Sequence, residues 1–337
     1  MIKENIMPNL QNYFLEFHKK IKLDDFNENQ TLRDKRDTLL EDLRKNISED
    51  APSFENFDQG SYAMNTGTNP KDGNYDIDEG VIFDCFRDDY KDPVELKKMV
   101  SDALTCGNRS VRIRRPCVTV EYLKNGEVDY HVDLVIYAKR SGETALDLAK
   151  GKEFSDSEKR LWEISDPKGL IDKIRNRFSD KDDNAQMRRC IRYLKRWRDH
   201  KLTSGKPFSI ALTCAAYHWF QTSKDIFNNK YNDIEALISL MKAIIACFDV
   251  TGWLTIELPV EPHDDLNRKM TESQMKTFKE KLEDLKDALI DAQNEDLEDE
   301  ACKLLKKQFG DEFPVPEKKD TARKVATAGF APAGASA

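Results

Sequence analysis

The sequence lacks an excess of basic residues, a paired-cysteine motif and a long hydrophobic run. Its 337 residues include 54 Lys and Arg against 62 Asp and Glu, so the formal net charge is −8. This acidic balance argues against a protein that coats duplex nucleic acid with a broad basic face. It leaves room for a local basic pocket that binds a small phosphorylated ligand. We therefore expect no stable binding to duplex nucleic acid.

The seven cysteines are scattered along the chain and odd in number. No two of them have the C-x-x-C spacing of a zinc site, so we interpret them as reduced thiols in a cytosol. No apolar run is long enough to span a membrane, and the N-terminal residues lack the apolar core of a signal peptide. Together these absences predict a cytoplasmic protein that makes no contact with a membrane.

The hydrophobic residues, 39% of the chain, are numerous enough to build a core. The chain length predicts two domains or one bilobal unit. In the first half, periodicity predicts a helical region at residues 8–48, with a break at 27–30, and a helix at 92–106. It predicts strands at 75–84, 117–122 and 128–137. Asn125-Gly126 predicts a tight hairpin turn between the last two strands.

The pattern changes after about residue 160, where the chain becomes mostly helical. Periodicity predicts helices at residues 167–178, 184–200, 208–223, 231–248 and 271–308. From Phe313 onward the chain turns to Pro and Lys and then to Ala, Gly and Ser, which predicts a flexible end. We therefore expect a core lobe with N-terminal helices (1–160), a helical lobe (161–312) and a flexible tail (313–337).

The most informative motif lies in residues 59–83, which read QGSYAMNTGTNPKDGNYDIDEGVIF. Gly60-Ser61 opens a predicted turn or short helix, and Asp76 and Asp78 follow at the start of an apolar run. Side chains alternate between the faces of a strand, so the two carboxylates point the same way. They repel each other unless a cation lies between them, and Mg²⁺ usually binds one or two carboxylates together with phosphates. The stretch predicts a phosphate-binding turn beside a metal-binding pair.

Asp133 is a third candidate carboxylate, within the apolar run 128–137. An unpaired carboxylate there is costly, so it needs a partner, a metal ion or a position at the rim. If its strand lies beside that of Asp76 and Asp78, the three carboxylates converge as in a two-metal site for nucleotidyl transfer. Each Asp alone is more often a turn, surface or salt-bridged residue, but their ordered combination favours a site. His131, on the same strand face, is better interpreted as a hydrogen-bonded structural residue.

The order Gly-Ser, Asp-x-Asp and a distant Asp resembles the pattern of the polymerase-β-like nucleotidyltransferases. The resemblance is closer to the bacterial CD-NTases, relatives of cyclic GMP-AMP synthase and oligoadenylate synthase. It spans roughly residues 8 to 310 and includes QGSYAMNTGTNPKDGNYDID, HVDLVIYA, RRCIRYLKRWRD, GKPFSIALT and DDLNRKMT. It implies a bilobal α+β fold of the polymerase-β type, with a mixed β-sheet core lobe, a helical second lobe and an active site in the cleft between them. Glu79 departs from the family pattern, but alternation turns it away from the metal pair.

The resemblance also implies roles for individual residues. Asp76, Asp78 and Asp133 would be catalytic and would bind two Mg²⁺ ions. The implied nucleotide-binding residues are Gln59, Gly60 and Ser61 at the triphosphate, Lys195 and Ser209 at the donor phosphates, Phe208 stacked on a base and Asp265 in the acceptor pocket. On composition alone, Lys195 is one of six basic residues from Arg188 to Arg198 that could simply face solvent, and Phe208 could belong to the core.

The implied function is a Mg²⁺-dependent enzyme that joins nucleoside triphosphates, ATP and/or GTP, into a cyclic di- or trinucleotide second messenger and releases pyrophosphate. The implied setting is bacterial anti-phage (CBASS) signalling, in which the product activates a separate effector protein. The small-residue end, Val325 to Ala337, would suit conjugation by a ubiquitin-ligase-like partner, although a disordered end is the simpler interpretation.

Two alternatives remain open at this point. A linear oligonucleotide synthase or an RNA-tailing nucleotidyltransferase uses the same three carboxylates, but the acidic net charge disfavours a path for RNA. A non-catalytic nucleotide-binding module belongs to another functional class. The presence of Asp76, Asp78 and Asp133 argues against it.

Overall fold

The computed structural model describes residues 9–23, 28–71, 75–105, 109–124, 127–225 and 230–318. Within these residues the chain forms two lobes, one built around a seven-stranded sheet and the other from helices. Several features singled out in the sequence lie wholly or partly outside the described residues: the start of the predicted helix break at 27–30, residues 72–74 of the 59–83 motif, the Asn125-Gly126 turn, one of the seven cysteines (Cys106) and the chain from residue 319 onward.

The sheet of the core lobe is mixed. Its strands are β1 (Phe54–Asp58), β2 (Tyr75–Phe86), β3 (Arg109–Ile113), β4 (Val118–Lys124), β5 (Glu127–Lys139), β6 (Leu146–Lys150) and β7 (Leu161–Ser165). The order is β1-β2-β5-β4-β3, with β6 paired to β5 and β7 to β6. Only β2 and β5 run parallel among these pairs. The antiparallel pairing of β4 with β5 confirms the predicted hairpin, whereas β1, β3, β6 and β7 were not predicted.

The described helices are α1 (Gln11–Ile21), α2 (Glu28–Asn46), α3 (Gly60–Ala63), α4 (Val94–Leu104), α5 (Pro167–Arg175), α6 (Lys181–Lys201), α7 (Ser209–Trp219), α8 (Asp233–Ala246), α9 (Glu272–Asn294) and α10 (Glu298–Phe309). The single helix predicted over 271–308 is two helices, because Glu295 adopts an extended conformation and ends α9. In the described part of the chain, no helix is long and apolar enough to cross a bilayer.

The core of the first lobe forms where one face of the sheet packs against α2 and α4. Along β2, Ile77, Val81 and Phe83 point to this face and are buried. Alternation therefore sends Asp76 and Asp78 to the opposite face. The strand begins with a polar site on one side and an apolar core on the other.

Glu79 lies on the buried face, which confirms the prediction that it points away from Asp76 and Asp78. Asn56 Nδ2 donates to Glu79 Oε1 at 2.6 Å, and the Arg36 guanidinium of α2 lies 3.8 Å from Oε2. Burial raises the pKa of Glu79 to about 7, although Asn56 and Arg36 act in the opposite direction. Glu79 therefore joins α2 to the sheet.

The core of the second lobe contains an element from the start of the chain. Phe14 and Phe17 of α1 are fully buried among side chains of α6 and α10, so α1 packs with the helical lobe although the sequence grouped it with the core lobe. Phe313 is also buried here, with its ring centroid 5.3 Å from that of Phe14 and 5.1 Å from that of Phe17. The expected flexible tail therefore does not begin at residue 313.

Candidate active site

The register of β2 and β5 brings the predicted carboxylates together. The two strands are parallel neighbours, with Asp78 beside Asp133 and Asp76 beside His131. Adjacent strands lie about 4.8 Å apart, and side chains of paired residues share a face. The predicted convergence of Asp76, Asp78 and Asp133 on one face of the sheet is therefore confirmed, although their catalytic roles remain predictions.

Helix α3 rests directly on Asp78. Gln59 N–H donates to the Asp78 carbonyl oxygen at 3.2 Å, and Gly60 follows with a φ of 67°. A Cβ atom at Gly60 would overlap the Asp78 carboxylate. Glycine is required here both for the left-handed backbone and for the close approach. The Gly-Ser motif and the Asp-x-Asp motif are thus in direct contact.

Burial and mutual repulsion raise the pKa values of the carboxylates. Burial raises the pKa of Asp78 to about 7, and the nearby Asp76 and Asp133 act in the same direction. Burial also raises the pKa of Asp76, with Asp133 adding to the rise and His131 opposing it. The negative charge at this site is incompletely balanced by the protein, so a bound cation would be stabilised.

The carboxylates fit Mg²⁺ as an incomplete set of ligands. Among the described residues, no three acidic, His or Cys side chains already form a closed metal-binding group, and Thr119 Oγ1 donates to Asp133 Oδ1 at 2.6 Å. Mg²⁺ commonly takes only one or two protein carboxylates and completes its shell with water and substrate phosphates. Asp76 and Asp78 match this requirement directly, whereas a ligand role for Asp133 requires its carboxylate to share the Thr119 hydroxyl or to turn.

A cavity of about 760 Å³ lies between the two lobes in front of these residues. Seven of the predicted site residues line it: Gln59, Gly60, Ser61, Asp76 and Asp78 from the core lobe, and Lys195 and Ser209 from the helical lobe. Ser209 is the first residue of α7, so the N-terminal end of this helix faces the cavity. The expected location of the site in a cleft between the lobes is consistent with this lining.

Lys195 is buried at the boundary between the lobes. Its Nζ donates to the Thr66 carbonyl oxygen at 2.9 Å and to Thr66 Oγ1 at 3.1 Å. Burial, with Arg192 and Arg198 nearby, lowers the pKa of Lys195 to about 7, and Asp76 opposes that shift. An ammonium has three N–H donors, so one remains for a ligand in the cavity.

Three predicted site residues are absent from the described lining of this cavity. Asp133 lies beside Asp78 on the neighbouring strand β5 but is not part of this lining. Phe208 is 57% exposed, which excludes a place in the core and leaves its ring accessible. Asp265 accepts hydrogen bonds from the backbone of Ile256 and Asn267 and from the Trp253 indole, so its carboxylate stabilises a loop. The geometry does not support the proposed acceptor contact of Asp265.

Several residues that line the cavity were not predicted. Lys71, Arg198 and Lys206 add positive charge, and Asp199 accepts hydrogen bonds from Arg198 Nη2 at 2.7 Å and Lys206 Nζ at 3.1 Å. Arg198, Asp199 and Lys206 fall within or beside the segments RRCIRYLKRWRD and GKPFSIALT, which indicated the region but not the individual residues. Tyr137 also lines the cavity and donates to Gln59 Oε1 at 3.1 Å.

Comparisons with known proteins agree with this architecture. Residues 54–137 match the model of the cyclic GMP-AMP synthase DncV-like nucleotidyltransferase domain, and residues 184–319 match that of the cyclic GMP-AMP synthase C-terminal domain. A cyclic GMP-AMP synthase of Escherichia albertii is 35% identical over 170 residues, which cover 48% of this chain and 36% of that protein. The chain thus aligns with about a third of the length of this relative.

Solved structures share the fold over most of the chain. The Vibrio cholerae DncV cyclic AMP-GMP synthase superposes with a TM-score of 0.69 at 19% identity and covers 91% of this chain and 97% of its own. The Bradyrhizobium diazoefficiens CD-NTase CdnG in complex with GTP gives a TM-score of 0.68 at 17% identity, and the superposition covers 91% of this chain and 96% of CdnG. With one family model matching in each lobe, the chain belongs to the bacterial CD-NTases, nucleotidyltransferases of the polymerase-β superfamily.

Proposed function

We propose that this protein joins nucleoside triphosphates, ATP and/or GTP, into a cyclic di- or trinucleotide with release of pyrophosphate. The observation that supports this most directly is the contact of Gly60-Ser61 with Asp78 at the wall of the interlobe cavity. The carboxylates for a metal ion and the turn for a triphosphate then face the same space.

Residues of both lobes would bind the metal ion and the triphosphate. Asp76 and Asp78, with Asp133 beside Asp78 on the next strand, would hold Mg²⁺, which when bound neutralises phosphate charge and lowers the pKa of an attacking ribose hydroxyl. Gly60-Ser61 would orient the triphosphate from the core lobe. Lys195 and Ser209 would contact its phosphates from the helical lobe. Such positioning, rather than covalent chemistry by the protein, supplies most of the catalysis in phosphoryl transfer.

The similarity to cyclic dinucleotide synthases favours a cyclic product over a linear one. The relatives with the same fold include a cyclic AMP-GMP synthase, and DncV has been solved with the linear intermediate 5′ pppA(3′,5′)pG. The cavity volume of about 760 Å³ lies in the ~300–1,000 Å³ range typical of ligand pockets, which suits a nucleotide substrate whichever product is formed. We extend the proposal to bacterial anti-phage signalling through a product-activated effector, as the family membership suggests.

The test is incubation of the purified protein with labelled ATP, GTP, CTP and UTP and Mg²⁺, followed by phosphatase and nuclease treatment and mass analysis. We expect a resistant cyclic product and release of pyrophosphate. The double variant Asp76→Asn, Asp78→Asn should lose at least about 100-fold of this activity because it removes the ionic metal ligands. A linear product with a 5′-triphosphate would contradict cyclisation. Unchanged nucleotide consumption by the double variant would contradict the site.

A further inference from the structure

Three basic side chains of α6 are buried on one face of the helix. Arg192, Lys195 and Arg196 are 4%, 4% and 3% exposed. Spacings of three and four residues place them side by side. Buried cations are costly unless hydrogen-bond acceptors or opposite charges surround them. The interpretation that the basic residues of this helix simply face solvent is therefore wrong for these three.

All three donate to backbone carbonyl oxygens of one short segment, residues 65–69, which we call the tether loop, and Arg196 Nε also lies 3.1 Å from Glu312 Oε2. It follows α3 in the chain and leads toward β2. The hydrogen bonds run from Arg192 Nη2 to Asn65 O (2.6 Å), from Lys195 Nζ to Thr66 O (2.9 Å), from Arg192 Nε to Gly67 O (3.0 Å) and from Arg196 Nη2 to Asn69 O (2.6 Å). Four of the five carbonyl groups are thus bound by the helical lobe.

The tether loop is also bound by the C-terminal end of α1 and by Leu23, which follows it. Asn69 N–H donates to the Ile21 carbonyl oxygen at 2.9 Å, and Leu23 N–H donates to the Gly67 carbonyl oxygen at 3.4 Å. Ile21 belongs to the core that contains α6. The tether loop connects two elements of the core lobe but makes these hydrogen bonds to the helical lobe.

The tether loop in turn supports the Gly-Ser helix. Thr66 N–H donates to the Ser61 carbonyl oxygen at 2.9 Å, immediately beside the residue that contacts Asp78. Helix α3 has only four residues, which is too short to be stable by its own hydrogen bonds. Asn65 holds a φ of 57°, a conformation that a non-glycine residue adopts only when neighbouring contacts stabilise it. The position of Gly60-Ser61 therefore depends on the contacts of the tether loop.

We propose that Arg192 is a positioning residue for the nucleotidyl transfer proposed above. By binding two carbonyl groups of the tether loop, it holds Gly60-Ser61 against Asp78 and transmits the position of α6 to the active site. Within the described residues, Arg192 does not line the interlobe cavity, whereas Lys195 and Arg196 do. An effect of Arg192 on turnover therefore acts through the tether loop, and this inference rests on the proposed function.

The experiment compares Arg192→Gln with Arg192→Lys and the control Arg188→Gln. Arg188 lies one turn earlier on α6 and contributes only its backbone carbonyl oxygen to Arg192, so its substitution removes the same charge without releasing the loop. Hydrogen–deuterium exchange of residues 60–69 is measured without substrate, and kcat and KM are measured with ATP and GTP. Arg192→Lys tests the geometry, because an ammonium cannot reproduce the fork that a guanidinium presents to two carbonyl groups.

We expect Arg192→Gln to speed exchange in residues 60–69 and to lower kcat by between about 10- and 100-fold. KM should change less, because Lys195 and Ser209 still face the cavity. The exchange rate and kcat of Arg192→Lys should lie between those of Arg192→Gln and the wild type. Those of Arg188→Gln should match the wild type. Wild-type turnover in Arg192→Gln would overturn the proposal, as would unchanged exchange in residues 60–69. A wild-type protein without turnover would refute the proposed function, and the exchange data would still decide whether Arg192 holds the loop.

Discussion

Gly60 shows how a single residue can depend on a contact that no local pattern specifies. Gly-Ser pairs are common in turns, and the sequence predicted this one to bind phosphate. The structure adds that the missing side chain leaves space for the Asp78 carboxylate, at a backbone φ of 67°. The same position therefore meets two requirements, a left-handed conformation and a close approach. These two requirements can be separated by experiment.

The variant Gly60→Ala tests the close approach. The added methyl group would displace either α3 or the Asp78 carboxylate, and a displacement of about 1 Å lowers turnover on the order of 100-fold. Gly142 is the matched control, because its φ of 72° is similar but a Cβ atom there would meet nothing within 4 Å. Gly142→Ala should add only backbone strain of about 1–2 kcal/mol. We measure nucleotide consumption and thermal unfolding of both variants. Wild-type turnover in Gly60→Ala would contradict the requirement for close contact.

At the scale of the element, helices and strands were predicted best where the periodicity of apolar residues matches the burial of those residues in the fold. The strands of Asp76, Asp78 and Asp133 alternate between a buried face and the site, so their existence and facing were predictable. Strand β1 was not, because its residues are mostly half-buried and show no clear alternation. The role of α6 was also not predictable, because the sequence does not distinguish an Arg that binds a distant carbonyl group from an Arg that faces water.

Helix α1 is the element that the sequence placed in the wrong lobe. Its periodicity correctly indicated one apolar face, but periodicity does not identify the partner of that face. Phe17 packs against Tyr193 of α6 and Phe309 of α10, which lie more than 170 residues away in the chain. The order of elements along the sequence suggested the neighbouring sheet lobe. Packing against distant residues decided otherwise.

The variant Phe17→Ala tests the place of α1 in the helical lobe. Because the ring is fully buried, we expect the free energy of unfolding to fall by about 3–5 kcal/mol. Leu15→Ala on the same helix is the control. Because Leu15 is 36% exposed, this substitution should lower the free energy of unfolding much less. Denaturant unfolding followed by tryptophan fluorescence provides the measurement. Equal effects of the two substitutions would show that α1 does not complete this core.

At the scale of the whole molecule, the basic residues of the described part of the chain have several kinds of partner. Many are paired with acids, as Arg109 is with Asp42 and Arg160 with Asp92, and others bind carbonyl oxygens of the tether loop. The net charge of −8 still predicts no stable binding to duplex nucleic acid. Negative charge is concentrated where Asp76, Asp78 and Asp133 lie close together, and their repulsion adds to burial in raising the pKa values of Asp76 and Asp78.

That concentration should make the stability of the whole protein depend on pH and on Mg²⁺. The pKa of Asp78 is raised by burial and by Asp76 and Asp133, from 3.8 to about 7. The folded state therefore binds a proton more tightly than the unfolded state, and stability is lost as pH rises from about 4 through 7. Replacement by a neutral side chain removes this loss. The melting temperature of Asp78→Asn should exceed that of the wild type at pH 7.5 in metal-free buffer, and the difference should shrink toward pH 5.

The comparison isolates the carboxylate site, because groups away from it titrate in both proteins. Burial lowers the pKa of His18 to about 3, so the contribution of His18 to the stability of the protein increases as pH rises toward 6.5. Glu79, whose pKa is raised, contributes less stability as pH rises, as Asp78 does. Both contributions cancel in the difference. Mg²⁺ should raise the melting temperature of the wild type at pH 7.5, because it binds the ionised carboxylates of the folded state, and should raise that of Asp78→Asn much less. A difference that does not vary with pH would mean that Asp78 is already balanced by its neighbours. An equal response of both proteins to Mg²⁺ would place the ion elsewhere.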